Sequence, residues 1–235
     1  MQIIKKPKSY FKVAPNLVDY EKAYKNFLWK QGLPELSFFK GGKINAAYNS
    51  VDRHLTTWRK NKVALYWEDE DGREEKFTFE ELSEKSSQYG NYFKSLGVKR
   101  GDRVFIFLPR IPDLYLSFLG ILKIGAIAGT LFSAFKEQGL FDRLENSGAK
   151  VLITNSELKE RVDKIKNKLK NLQKIVVVDD PLFQKELEKC SNKLRVAQMN
   201  PSDPAFMLYT SGTTGKPKGV IHKHLAILQE HLTAK

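Results

Sequence analysis

The sequence predicts an α/β fold with a doubly wound, mostly parallel sheet flanked by helices. Three observations predict it. From Arg103 onward, short apolar runs alternate with amphipathic segments. The runs RVFIFLP, AIAGTLF, KVLIT and KIVVVDD are apolar at successive positions, as strands covered on both faces require. The segments between them suit crossover helices, and right-handed crossovers would wind such a sheet from both sides.

Residues 1–50 read as an N-terminal helical extension, 51–200 as a first α/β subdomain, and 201–235 as a strand, a loop and the start of the following helix. In the extension, Leu17, Tyr20, Tyr24, Phe27 and Leu28 recur at helical spacing until Gly32 and Pro34 stop the helix. Asn45 can cap a second helix whose stripe is Ala47, Tyr48, Val51, Leu55 and Trp58. VALYW and EKFTF, joined through Asp69-Glu70-Asp71-Gly72, read as a hairpin. Thr78 with Glu81 forms a capping box that opens a helix carrying Leu82, Tyr89, Phe93 and Leu96, and Gly97 ends it. Pro112 and Asp113 open the helix after the first parallel strand, and Gly125 closes it. Leu140 and Leu144 mark the next helix, with Gly148 as its stop. Leu158, Val162, Ile165, Leu169 and Leu172 then form the apolar stripe of a lysine-faced helix. Helix Pro181 to Lys189 and strand AFMLY complete the order.

Composition narrows the function. The chain has 235 residues, 41% hydrophobic and 29% charged, which fits a folded chain with a sizeable core. A single cysteine, Cys190, precludes a disulfide within the chain and suits a reducing, cytoplasmic setting. The most apolar run, Leu114 to Ile127, is interrupted by Lys123 and two glycines, so no membrane partner is expected. The net charge of +13 invites a nucleic-acid partner. Most lysines, however, fall on the wet faces of amphipathic segments, so no nucleic-acid site is expected.

The chemistry concentrates in Tyr209-Thr-Ser-Gly-Thr-Thr-Gly-Lys-Pro-Lys-Gly219. Gly212 and Gly215 let the backbone turn its amides inward as an anion nest. Thr210, Ser211, Thr213 and Thr214 add neutral donors, and the lysines add charge. The loop follows an apolar strand, where α/β proteins place ligands. A Walker loop does not fit: the fifth residue after Gly212 is Pro217, and Lys216 is followed by proline, not by a hydroxyl residue.

This stretch resembles the signature loop of the adenylate-forming enzymes, which include acyl-CoA synthetases, luciferases and peptide-synthetase adenylation domains. GGKINAAYNSVDRH and GVIHKH resemble stretches of the acetyl-CoA synthetases, as do GDRVFIFLPRIPDLYLSFLGILKIGAIAGTLFSAF and DRLENSGAKVLIT. The resemblance spans about residues 16 to 235. It implies the first part of the large N-terminal domain of such enzymes. It also implies an AMP-forming acid–thiol ligase. A short carboxylate attacks the α-phosphorus of Mg-ATP to give an acyl-adenylate and pyrophosphate, and coenzyme A then displaces AMP. The small-molecule partners so implied are ATP with Mg2+, the carboxylate and coenzyme A. An alternative is a non-catalytic nucleotide- or phosphate-binding fragment, or a ligase of medium-chain acids.

Carried over residue by residue, the resemblance assigns Thr210, Ser211, Gly212, Thr213, Thr214, Gly215 and Lys218 to the ATP phosphates. Phe132 and Ser133 stand where acetyl-type enzymes line the coenzyme A adenine with an aromatic-glycine-glycine-aromatic stretch, although Ser133 and Ala134 replace both glycines here. Arg161 stands near the position of an arginine pair that holds coenzyme A. His222 and His224 read as structural hydrogen-bonders, and Asp52, Arg53 and His54 as packing and ion-pairing residues. No metal ligand and no catalytic residue is assigned within the 235 residues. The adenine, ribose, magnesium and acyl sites and the catalytic lysine are expected beyond Lys235, and the chain alone is expected to be inactive.

Overall fold

The computed structural model describes Val13, residues 17–210 and residues 215–234. Its helices are α1 (Tyr20–Asn26), α2 (Ala46–Ser50), α3 (Phe79–Ser95), α4 (Pro112–Lys123), α5 (Glu137–Ser147), α6 (Ser156–Asp163), α7 (Pro181–Glu188) and α8 (Ile227–Thr233). Its strands are β1 (Val63–Glu68), β2 (Glu74–Thr78), β3 (Arg103–Phe107), β4 (Ile127–Leu131), β5 (Val151–Thr154), β6 (Lys174–Val177), β7 (Pro204–Thr210) and β8 (Lys218–Lys223). β1 and β2 form the antiparallel hairpin read from the sequence. The main sheet runs β6-β5-β3-β4-β7-β8, parallel throughout except for the final antiparallel pair.

Strand alternation divides the core between the two faces of this sheet. Val104 and Ile106 point toward α3, α4 and α7, where Tyr89, Phe93, Ile121 and Phe183 bury against them. Phe105 and Phe107 point to the other side, toward Leu140 and Leu144 of α5 and Leu158 and Val162 of α6. The chain leaves β3 toward β4 in one direction and then crosses back to β5. β3 and β5 are neighbours whose connections run to opposite sides, so the crevice beyond their C-terminal ends is the topological switch point, where such folds place ligands.

Local signals act as expected at several ends. The Thr78 hydroxyl accepts from the Glu81 N–H at 3.2 Å while the Glu81 carboxylate accepts from the Thr78 N–H at 2.8 Å, closing the capping box. Asn45 caps α2 through the N–H groups of Ala47 and Tyr48. The same Asn45 amide donates to the carbonyls of Leu122 (2.8 Å) and Ala197 (3.0 Å), so one cap also fastens the extension to the sheet domain.

Four stretches depart from the sequence expectation. α2 ends at Ser50, a 3-10 turn, Asp52–Thr56, follows, and Trp58 of the expected stripe is exposed. α1 ends at Asn26, well before Gly32, because the Gln31 side chain accepts from the Leu28 N–H (3.1 Å) and opens a separate 3-10 turn, Trp29–Glu35. α1 buries none of its residues, and its aromatic stripe packs on itself as a Tyr20–Tyr24 stack. The lysine-faced helix is not one helix. α6 stops at Asp163, and a 3-10 turn, Lys166–Lys168, follows. The tighter turn brings Ile165 and Leu169 to the core that Leu158 and Val162 already reach. Finally, the segment after the signature loop is not yet helical. The β-branched pair Val220-Ile221 continues as β8 before α8 begins.

Candidate functional site

β7 carries the chain to the sheet edge at Thr210, and β8 brings it back at Lys218, with Thr210 and Lys218 directly paired. The hairpin fixes both ends of the signature loop within one cross-strand distance. Ser211, Gly212, Thr213 and Thr214 lie outside the described residues. Gly215 has φ +101°, a backbone region open to glycine and strained for other residues. Thr210, Gly215 and Lys218 are all exposed. Lys218 is thus a strand residue at the loop's exit, opposite the hydroxyl residue at its entrance.

Beside this hairpin, a cavity of about 350 Å³ opens at the C-terminal ends of β3, β4 and β7. Leu108, Arg110, Phe132, Ser133, Phe135, Leu208 and Tyr209 line it. Phe132 is 63% exposed and is not part of the core. Arg161 reaches the same turn from α6, where its Nη1 donates to the carbonyls of Ser133 (2.8 Å) and Phe135 (3.2 Å). The structure therefore brings together Phe132, Ser133 and Arg161, residues nearly thirty positions apart. Part of the Arg161 hydrogen-bonding capacity goes to shaping the turn.

The floor beneath is rigid. At Gly129 of β4, a Cβ would lie 2.4 Å from the Phe105 ring, so only glycine lets the sheet close here. Tyr209 packs against Phe105 with centroids 6.3 Å apart, and its hydroxyl bonds Asn146 Oδ1 (2.7 Å) and the Arg143 carbonyl (3.1 Å). A larger apolar cavity, about 510 Å³, lies between the β1–β2 hairpin and α4 and shares Leu114 and Thr130 with the first. It offers no charged lining group, so the polar chemistry belongs to the smaller one.

The two histidines after the signature loop both pack against the fold. His222 stacks on Phe206, with centroids 4.5 Å apart and planes 6° apart. His224 is fully buried, and its Nδ1 accepts from the Ala46 N–H at 3.1 Å. Burial holds it down to about 4, against the opposing pull of Asp203. Among the described residues, no group of three or more His, Cys, Asp or Glu is placed to hold a metal ion. None of their helices is long and apolar enough to cross a membrane.

Sequence inspection passed over Arg143 and Lys123. Arg143 stands 4.0 Å over the Phe135 ring and 5.8 Å from that of Tyr209. Its spacing in α5 gives no sign of either ring, because both contacts are tertiary. Lys123 registers in the sequence only as a break in an apolar run. It is fully buried and donates to Asp52 (2.8 Å), the Ser83 carbonyl (2.9 Å) and the Ser87 hydroxyl (3.1 Å).

Similarity to known proteins identifies the family of the chain. The chain is 45% identical over 229 residues to an acetyl-coenzyme A synthetase of Bacillus subtilis strain 168, an alignment covering 94% of this chain and 40% of that protein. It is 36% identical over 245 residues to a 3-hydroxypropionyl-coenzyme A synthetase of Sulfurisphaera tokodaii, covering 93% of this chain and 37% of that one. Among solved structures it is similar to a Brucella canis acyl-CoA synthetase, with a TM-score of 0.78 and 30% identity over 89% of this chain and 39% of the other. The chain thus spans about 40% of the length of the Bacillus relative. The profile of the family described as AMP-binding enzyme matches residues 51–235, the greater part of the chain, and the chain belongs to that family.

Proposed function

We propose that this chain supplies the polyphosphate grip and the coenzyme A turn of an AMP-forming ligase acting on a short carboxylate. In this reading Thr210, Ser211, Gly212, Thr213, Thr214, Gly215 and Lys218 hold the β- and γ-phosphates of ATP. Preorganised donors there would stabilise the departing pyrophosphate. Mg2+ enters with the nucleotide. Phe132 offers its exposed ring to the coenzyme A adenine, Ser133 lines the same turn, and Arg161 holds that turn in shape. The reaction is formation of an acyl-adenylate followed by its transfer to the coenzyme A thiol. Acetate and 3-hydroxypropionate are the acids named by the relatives, so a short acid is the substrate class. The single free cysteine, Cys190, suits a cytoplasmic enzyme.

The observation that carries this reading is the direct pairing of Thr210 with Lys218 at the C-terminal end of β7. It sets a lysine and a hydroxyl residue at the two ends of a glycine-flexed loop, beside the cavity that Phe132 lines. Titration of inorganic tripolyphosphate into the 235-residue chain tests it by calorimetry. Saturable binding is expected, weakened about tenfold or more by Lys218→Ala, since a charge-assisted bond to phosphate contributes roughly 1.5–3 kcal/mol. Lys216→Ala should have little effect. Equal losses from the two substitutions, or no saturable binding at all, would overturn the assignment. In a longer protein carrying this sequence, Lys218→Ala should slow acyl-adenylate formation and leave thioester formation from supplied acyl-adenylate intact.

A further inference from the structure

Arg143 is not among the residues assigned to phosphate or coenzyme, yet it contacts Phe135 and Tyr209, which flank those residues in the chain. Its guanidinium carbon lies 4.0 Å over the ring of Phe135, the last aromatic of the Phe132–Phe135 turn. The same guanidinium carbon lies 5.8 Å from the ring of Tyr209, which immediately precedes Thr210. Its Nη1 donates to the Gly139 carbonyl at 2.8 Å, one helical turn back, which fixes the side chain along α5. Its Nε is buried with no hydrogen-bond partner among the described residues, so beyond the Gly139 bond the side chain contacts the two rings. The Arg143 carbonyl also accepts from the Tyr209 hydroxyl at 3.1 Å. Both the side chain and the main chain of this residue therefore contact the strand that ends in the signature loop. Arg161 clamps the far side of the same turn through the Ser133 and Phe135 carbonyls.

We propose that Arg143 is a positioning residue that couples the Phe132–Phe135 turn to the end of β7, so that the conformation of one ligand-binding element sets that of the other. This rests on the assignment of polyphosphate to the signature loop. The physical basis is a planar cation in contact with a ring of each element, together with the Tyr209 bond to the main chain of the same residue, so that a shift of one element disturbs the contact with the other. Nothing in the contact requires that Arg143 touch a ligand.

The test uses the 235-residue chain, labelled with nitrogen-15, and Arg143→Met, which keeps length and apolar packing on Phe135 but removes the charged plane. In the ligand-free state, the amide signals of Ser133 and Phe135 and those of Thr210 and Gly215 should move together in the variant. Signals of β5 and β6 should stay in place. Tripolyphosphate affinity, followed at the Gly215 amide, should fall about three- to tenfold, as expected for the loss of a partly desolvated cation–ring contact. Arg143→Lys, which restores the charge, should recover part of it. If Arg143 only fills space, Met will serve as well, and unchanged affinity would overturn the proposal. Movement confined to the turn would overturn it too. If the unaltered chain binds no tripolyphosphate, the phosphate assignment falls, and the joint movement of the ligand-free signals alone decides the coupling. Should Arg143→Met fail to fold, Phe135→Leu removes the ring under the guanidinium and serves for the same comparison.

Discussion

His224 shows how a single buried side chain makes stability depend on pH. Burial lowers its affinity for a proton to about 4, against 6.5 for the free imidazole, although Asp203 opposes the shift. The unfolded chain therefore binds the proton more readily than the folded one. The stabilisation is complete above about pH 6.5 and is lost as pH falls toward 4, by up to about 3 kcal/mol. Asp203 and Asp102, held below the ordinary carboxylate range partly by their basic partners, titrate below this window. The thermal midpoint should therefore drop between pH 6.5 and 4.5 in the parent chain and much less in His224→Gln. Parallel slopes in the two would show that another group is responsible. Lys123 and Asp52 pose a second residue-scale question. Burial holds the lysine below its usual range, with Asp52 acting against that shift. One Asp52 oxygen, Oδ2, is buried without a partner among the described residues, so the pair is only partly compensated. Lys123→Met should cost about 3–5 kcal/mol in urea denaturation by stranding the carboxylate, and adding Asp52→Asn should recover more than half. Simple additivity of the two losses would refute the coupling.

At the scale of elements, the packing of α3 on α4 depends on a glycine contact that helix propensity alone would not favour. Alanine at Gly120 would be preferred within an isolated helix by roughly 1 kcal/mol. In the fold its Cβ would lie 2.8 Å from the Ser86 carbonyl oxygen and 2.9 Å from the Gly90 nitrogen. Both are backbone atoms that cannot swing aside, so the clash outweighs the propensity. Gly120→Ala should destabilise the chain by about 1–3 kcal/mol, read as a lower urea midpoint with an unchanged slope. A stabilised variant would mean that the helices separate without cost. The same scale explains the break after α6. A continuous helix would present Ile165 and Leu169 at fixed 3.6-residue spacing, whereas the 3-10 turn lets both reach the core over Phe105 and Phe107.

For the whole molecule, charge is the dominant surface property, and the structure shows how part of it is spent. Lys159 and Lys166 pair with Asp163 at 2.5 and 2.9 Å, and Lys164 pairs with Glu137 at 3.1 Å. These are exposed pairs of modest worth, but they make the lysine-rich stretch a mixed surface, not a continuous basic track. Duplex DNA should therefore bind weakly, without sequence preference, and detach by about physiological salt. Retention of one sequence at high salt in a gel-shift assay would contradict this. Around the sheet, one end gathers the exposed Phe132 ring, the Arg161-held turn and the Thr210–Lys218 pair.

What the sequence determined by itself was whatever needs only neighbours along the chain. Apolar runs foretold the parallel strands, Thr78 and Glu81 the cap of α3, Asn45 the cap of α2, and Gly97 and Gly148 the helix stops. The density of glycine, hydroxyl and lysine residues after β7 marked the signature loop, because the backbone freedom and donors of an anion-binding turn are written in neighbouring residues. The tertiary structure alone decided which distant residues meet. Asp52 and Lys123, 71 positions apart, form one buried pair, and Arg161 closes on a turn 28 residues behind it. Arg143 lies against Phe135 and Tyr209, and β8 turns back along β7 where a helix was expected. The physical reason is that a side chain's partner depends on how the crossovers route the chain. Periodicity fixes the face of an element, whereas the path of the chain fixes what that face encounters.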